Sequence, residues 1–138
     1  MPFPEVRHCV ICDDIHREGL GKLTILGFYG LAPSVSIRVA ELSKPIEQLT
    51  FLLICGPFGG GESKVFARID DEHGKSVIAF EPGSVVLEKA DTIFFAVGAR
   101  NIQFTMVGKH RFTFTVDEKA HFSIDFTVAQ ATRDELKA

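Results

Sequence analysis

The sequence predicts an all-β domain, a two-layer antiparallel β-sandwich of about eight or nine strands. Apolar and polar residues alternate with period two along most of the chain, the mark of half-buried strands. Turn-forming residues interrupt the alternation about every 8–12 positions, as in sandwiches and small barrels. No stretch holds a sustained helical period. At 138 residues, with 46% hydrophobic residues and thirteen phenylalanines beside one tyrosine and no tryptophan, the chain fits one domain with a substantial core. Residues 1–128 read as that domain and 129–138 as a tail, a short helix or disordered.

In chain order the alternating runs are Val6–Cys12, Lys22–Tyr29, Ser34–Val39, Thr50–Cys55, Lys64–Ile69, Ser76–Phe80 and Thr92–Val97. Gly19-Leu20-Gly21 turns the chain into the second run, and the glycine-rich stretch Gly56–Gly61 follows the fourth. Asp70-Asp71-Glu72-His73-Gly74-Lys75 closes a hairpin. Prolines 33, 45, 57 and 82 all fall between runs, where a missing backbone donor is tolerated. Ser43–Leu49 reads as a single helical turn, and Glu81–Asp91 as a long connection. Alternation resumes over Ile102–Met106, either as a separate strand or as the continuation of one bulged strand.

The clearest element is the final hairpin. Phe112, Phe114 and Val116 alternate with Arg111, Thr113 and Thr115; after Asp117-Glu118-Lys119, Phe122, Ile124, Phe126 and Val128 alternate with Ser123, Asp125 and Thr127. Such a pair has one dry and one wet face. The predicted core is Val10, Ile25, Leu52, Ile54, Phe95, Phe104, Phe112, Phe114, Val116, Phe122, Ile124 and Phe126. Two runs, Thr50–Cys55 and Ile93–Val97, are apolar on both faces, and a row of uncovered apolar side chains is rare on soluble monomers. Phe51, Leu53 and Phe94 are therefore the expected contact with a second subunit or another protein; cover by a loop or the tail is the alternative.

Cys12-Asp13-Asp14-Ile15 followed by Gly21-Lys22-Leu23-Thr24-Ile25-Leu26-Gly27-Phe28-Tyr29 resembles the opening of a widespread bacterial family of unknown function. Its members share a strand ending in Asp, a Gly-Lys turn and a strand reading roughly "sliGiy". The likeness runs through to the hairpin Gly108–Val128. It implies a small bacterial β-domain and no particular reaction. The stretch Gly108-Lys109-His110-Arg111-Phe112-Thr113-Phe114-Thr115-Val116 also resembles the penultimate strand of immunoglobulin-like sandwiches, G-x-Y-x-F-x-V-x-V, with His110 in place of the corner tyrosine that bonds nearby backbone.

Chemistry-bearing residues are sparse. The net charge is −3 and the lysines and arginines are scattered, unlike the basic face of a nucleic-acid binder. No run is long and apolar enough for a membrane helix, and Met1-Pro2-Phe3-Pro4-Glu5 lacks a signal-peptide pattern. The expected setting is cytoplasmic. Cys9 and Cys12 match C-x-x-C, but an extended strand turns positions three apart to opposite faces; with Cys55 they read as three buried thiols. Acidic stretches supply the only metal candidates, Asp13, Asp14, Asp70, Asp71, Glu72 and His73, as a hard cation such as calcium would use. Solvated turns account for them equally. The glycine run lacks the lysine of a phosphate loop, Glu62 standing in its place, and its Phe58 reads as an exposed tip. No nucleophile carries a local signature. The expectation is a non-catalytic interaction or assembly module without a cofactor, working as a homodimer or with a protein partner. The alternative is a small-molecule or metal-ion domain built on acidic loops.

Overall fold

Ten strands carry the alternating runs in the computed structural model, which describes residues 3–31, 35–42, 44–80 and 83–132. They are β1 (Val6–Arg17), β2 (Leu23–Leu31), β3 (Ser36–Val39), β4 (Ile46–Cys55), β5 (Gly61–Asp71), β6 (Ser76–Ala79), β7 (Gly83–Leu87), β8 (Ile93–Ile102), β9 (Gly108–Val116) and β10 (Lys119–Gln130). Among the described residues there is no α-helix, only a 3₁₀ turn at Gly19–Gly21. The strands form two sheets. One has four strands in the order β2-β1-β4-β8; the other runs β3-β10-β9-β5-β6, with β7 also paired to β5. All pairings are antiparallel except β3 with β10.

The last hairpin forms as its pattern predicts. Asp117 and Glu118 both have positive φ, 48° and 69°, as the tightest hairpin turn requires. β9 and β10 then place Phe112, Phe114, Val116, Phe126 and Val128 in the core. From the other sheet β4 contributes Leu49, Phe51, Leu53 and Cys55, and β1 contributes Cys9 and Ile11. Phe51 stacks on Phe112 across the sandwich, ring centroids 4.1 Å apart.

Several expectations change. Thr92–Met106 is one strand, β8, followed by a loop; Asn101 takes a positive φ of 55° within the strand, and the ladder runs on to its last pair, Ile102 with Ile46. The long connection after Phe80 contains β7, and the Ser43–Leu49 turn is replaced by the start of β4 at Ile46. Ala129 and Gln130 extend β10, so that part of the predicted tail is strand; the rest of it, from residue 133, lies outside the described residues. Of the predicted core, Val10, Leu52, Phe104, Phe112, Phe114, Val116 and Phe126 are buried, while Ile54, Phe95, Phe122 and Ile124 are half-buried. Ile25 is exposed. Phe58 is buried beside Phe3, pinned by two backbone hydrogen bonds to Ala90. Phe58 thus anchors the glycine run, and a side chain at Gly56 would strike the Asp91 carbonyl.

Candidate interaction face

The outer faces of the two sheets differ in kind. Across the four-stranded sheet, Ala96 stands opposite Leu52, Leu52 opposite Val10, and Val10 opposite Leu31. Phe94 faces Ile54, Thr50 faces Cys12, and Cys12 faces Phe28. Directly opposed residues share a face, so these rows make a continuous, largely apolar surface from β8 to β2. Its middle, with Val10, Cys12 and Leu52, is buried, while its margins are open: Phe28 is 60% exposed, Leu31 53%, and Leu26 and Phe94 40% each.

The six-stranded sheet shows water a charged surface. Arg111 Nε donates to Asp125 Oδ1 at 2.8 Å, Lys109 Nζ lies 3.2 Å from Oδ2, and Arg68 pairs with Asp70 at 3.1 Å. The Arg111 hydrogen bond, with help from Lys109, outweighs burial and holds the Asp125 carboxyl below the usual carboxylate range.

Beyond Cys12, β1 loses β4 as a neighbour and, among the described residues, pairs only with β2. Residues 13–17 and 23–27 thus form a two-stranded arm, which explains why Ile25 has no core to enter. The base of the arm accounts for the Asp…Gly…Tyr pattern in the sequence. Gly27 has a φ of +62°, and a side chain there would fall on the Asp13 carboxylate. The Tyr29 hydroxyl donates to that carboxylate, and burial, reinforced by the Asp13 charge, pushes its pKa up to about 12. Thr50 Oγ1 donates to the Asp13 carbonyl at 3.0 Å, tying the base to β4.

The acidic candidates are dispersed among local partners. Asp13 and Asp14 lie within β1, not in a turn; Asp14 accepts the Ile15 amide at 2.8 Å and contacts His16 Nε2 at 3.2 Å. Asp70 belongs to its ion pair, and Glu72 is exposed near Gly108. Asp71 accepts the amides of His73 and Lys75 at 2.9 and 3.0 Å; burial opposes its ionisation, but these bonds prevail and hold its carboxyl below the usual range. Of His73 the structure thus uses the amide. Among the described residues no three His, Cys, Asp or Glu side chains converge as a metal-binding group.

The three thiols and two of the histidines, His110 and His121, are held in structural contacts. Cys9, Cys12 and Cys55 are free and buried, and burial pushes them up to about 12, 11 and 11. His110 sits between Phe104 and Phe126 with Nδ1 3.0 Å from the Gly108 carbonyl, the backbone bond expected at the corner position. A bulge beside Ala120 turns His121 from its expected outward row to Pro4, its Nε2 2.9 Å from that carbonyl.

One sequence expectation is reversed. Phe51 and Leu53 are fully buried on the inner face of β4, so they cannot form the outer contact. Their neighbours Leu52 and Ile54 point outward instead. Phe94 keeps its outward place on β8. What sequence reasoning missed is the part played by β2, whose Leu26, Phe28 and Leu31 form the open margin.

A family model described as "Family of unknown function (DUF6941)" matches residues 7–129, and the chain belongs to that family. No curated protein matches it. Among solved structures, the Pseudomonas fluorescens alkylpurine DNA glycosylase AlkC, bound to DNA containing an abasic site analog, aligns over 70% of this chain at 16% identity with a TM-score of 0.43. The chain covers 28% of that protein's length. Among the described residues no helix is long and apolar enough to cross a membrane.

Proposed function

We propose that this member of DUF6941 is a non-catalytic interaction or assembly module that engages a protein partner through the outer face of its four-stranded sheet. One observation carries the reading: the two outer faces of the same sandwich are opposite in character. The β9–β10 side is covered by Arg111, Asp125, Lys109 and Arg68, whereas the β2-β1-β4-β8 side presents Phe28, Leu31, Leu26 and Phe94. An exposed apolar patch rimmed by polar residues marks a contact surface. The non-catalytic part is supported by the thiols, which burial keeps protonated and so poor nucleophiles. Free thiols also support a cytoplasmic setting, where reducing conditions keep them so. An immunoglobulin-like sandwich is supported by the order β5-β9-β10, which matches the C-F-G sheet, and by β4 beside β8, which matches B beside E.

A photo-crosslinking side chain placed at Ala96, on the apolar face, and separately at Thr115, on the polar face, tests the reading in the native host. Crosslinks to protein from Ala96 and none from Thr115 are expected. Equal labelling from both positions, or none from Ala96, overturns it.

A further inference from the structure

The apolar face does not stop at the edge of the sheet; it reaches its most exposed point there. β2 is an edge strand, and natural proteins blunt such strands by keeping them short or by adding charge or proline, because their unpaired backbone groups recruit other strands. The other edges obey this rule. β3 and β6 have four residues each, β7 has five, and the longer β8 carries Arg100. β2 has nine residues, Leu23-Thr24-Ile25-Leu26-Gly27-Phe28-Tyr29-Gly30-Leu31, without a charge or a proline. Four exposed large hydrophobics, Ile25, Leu26, Phe28 and Leu31, lie on it.

We infer that the β2 edge joins a second copy of the chain, antiparallel along β2, so that two four-stranded sheets become one of eight strands whose apolar outer faces run on side by side. The inference rests on the interaction-module reading and deepens it: the joined sheets present one continuous face to the protein partner. Tyr29 is the extra residue of a bulge opposite Ile11 and Cys12, so the stretch that offers one register to a partner is Leu23–Phe28, interrupted at Gly27 by its φ of +62°. A two-fold axis normal to the sheet keeps both apolar faces on the same side and sets residues of like parity opposite each other. Placed at Leu26, it brings that residue against its own image and Phe28 against the partner's Thr24.

Charge and area both fit. A two-fold contact confronts a strand with itself, and like charges directly opposed destabilise a sheet; the absence of any charge in β2 removes that obstacle. Nine residues run roughly 30 Å at about 3.4 Å each. Phe28, three-fifths exposed, offers on the order of 100 Å². With three aliphatic side chains and the backbone edge, each copy covers roughly 500–600 Å², about 1,000–1,200 Å² for the pair, which clears the roughly 1,000 Å² expected of a specific interface and only touches the lower bound of about 1,200 Å² for stable ones. The arm adds a second reason. A lone two-stranded ribbon is marginal in water, and three or more strands are needed for independent stability; pairing two arms gives that region four.

Light scattering at about 100 µM, with the dilution series fitted for Kd, tests the inference. A dimer of twice 15.2 kDa is expected for the wild type, and Leu26→Lys should weaken it at least tenfold while circular dichroism keeps the strand signal. In case Leu26→Lys fails to fold, Leu26→Cys provides an independent reading: mild oxidation should join two copies through residue 26, whereas Leu20→Cys, on the hairpin tip, should stay unlinked. A monomeric wild type, a dimer that Leu26→Lys leaves unchanged, or faster linking at Leu20→Cys than at Leu26→Cys overturns the second copy. Failure here remains distinguishable from failure of the module reading. Ala96, on the far edge strand β8, does not reach a copy joined along β2, so its crosslinks to another protein would retain the face reading whatever the oligomeric state.

Discussion

Replacing Phe51 by alanine empties the centre of the sandwich. The ring is 0% exposed on β4, stacks on Phe112 of β9 at 4.1 Å with planes 6° from parallel, and meets Phe126 at 5.8 Å. It therefore joins the two sheets. Removing a core phenylalanine costs roughly 3–5 kcal/mol, and an aromatic pair adds about 0.5–1.5 kcal/mol beyond the area it buries. Phe112 and Phe126 are held by neighbouring strands and have little freedom to collapse into the space, so the upper part of that range, about 4–5 kcal/mol, is expected. Domains have about 5–15 kcal/mol in total, so the variant should be close to its limit, with Tm lower by on the order of 10–20 °C. Urea denaturation followed by circular dichroism measures it: the midpoint should fall with the slope unchanged. Phe94→Ala, on the outer face, serves as the comparison and should cost less than half as much in the monomer. A loss below about 1 kcal/mol for Phe51→Ala would put that side chain outside the core and refute the register of β4.

Three further outcomes follow from the structure. In the native protein at pH 8 a thiol pKa of about 11 leaves roughly one thiolate in a thousand, so a thiol reagent should label none of the three cysteines quickly and all three after denaturation; rapid native labelling of Cys12 would contradict its burial. His110→Ala should cost on the order of 1–3 kcal/mol through the lost Gly108 bond and ring packing, whereas His110→Phe should recover much of this because it keeps the ring and removes the buried Nε2, which has no partner among the described residues; a melting curve for His110→Ala matching the wild type would show that the ring is not held as described. Asp71 and Asp125 are both held below the ordinary carboxylate value of about 3.9, so the unfolded chain binds more protons below that pH; the stability they contribute is complete above it and is lost as the pH falls through their folded values. Tm measured between pH 5 and 2 should fall, less steeply in Asp125→Asn, and an identical slope in the variant would remove Asp125 from the account.

How much of this was legible in the sequence depended on whether a strand has a wet side. β5 alternates Ser63, Val65, Ala67 and Ile69 with Lys64, Phe66, Arg68 and Asp70, and β9 and β10 do the same, so parity and core placement could be read from residue type. β4 gives no such signal between Thr50 and Cys55, where both faces are apolar, and the reading placed Leu52 and Ile54 inward when Phe51 and Leu53 are. The missing information lay two residues upstream, at Gln48. β4 begins at Ile46, and from Gln48 on it sorts by face, with Gln48 and Thr50 on the side of Leu52 and Ile54 and with Leu49, Phe51 and Leu53 on the other, while Ile46 and Glu47 run against that parity. The acidic pair Asp13-Asp14 was misplaced for a similar reason, because charge ends most strands but β1 continues through it as one side of an arm. Tyr29 reaching Asp13 over Gly27 connects three residues that local reading treats separately.

The role of β2 could not have come from composition, because an edge is a property of pairing. Leu23–Leu31 is no more apolar than Phe51–Cys55, and in a central position the same residues would be ordinary strand. Among the described residues β2, like the other edge strands, has one ladder partner, β1; what distinguishes it is that its second row of backbone groups runs along a strand that lacks the charges used elsewhere in this chain to protect an edge. The sheet's apolar outer face ends on that same strand, at Leu26, Phe28 and Leu31. Covering the face alone would leave the backbone row unpaired, and pairing the backbone alone would leave the side chains in water. A strand added along β2 with apolar residues on its outer side pairs the backbone row and flanks Leu26 and Phe28, while the face from β1 to β8 stays open to a protein partner. Another copy of β2 does this with no sequence beyond the one already present.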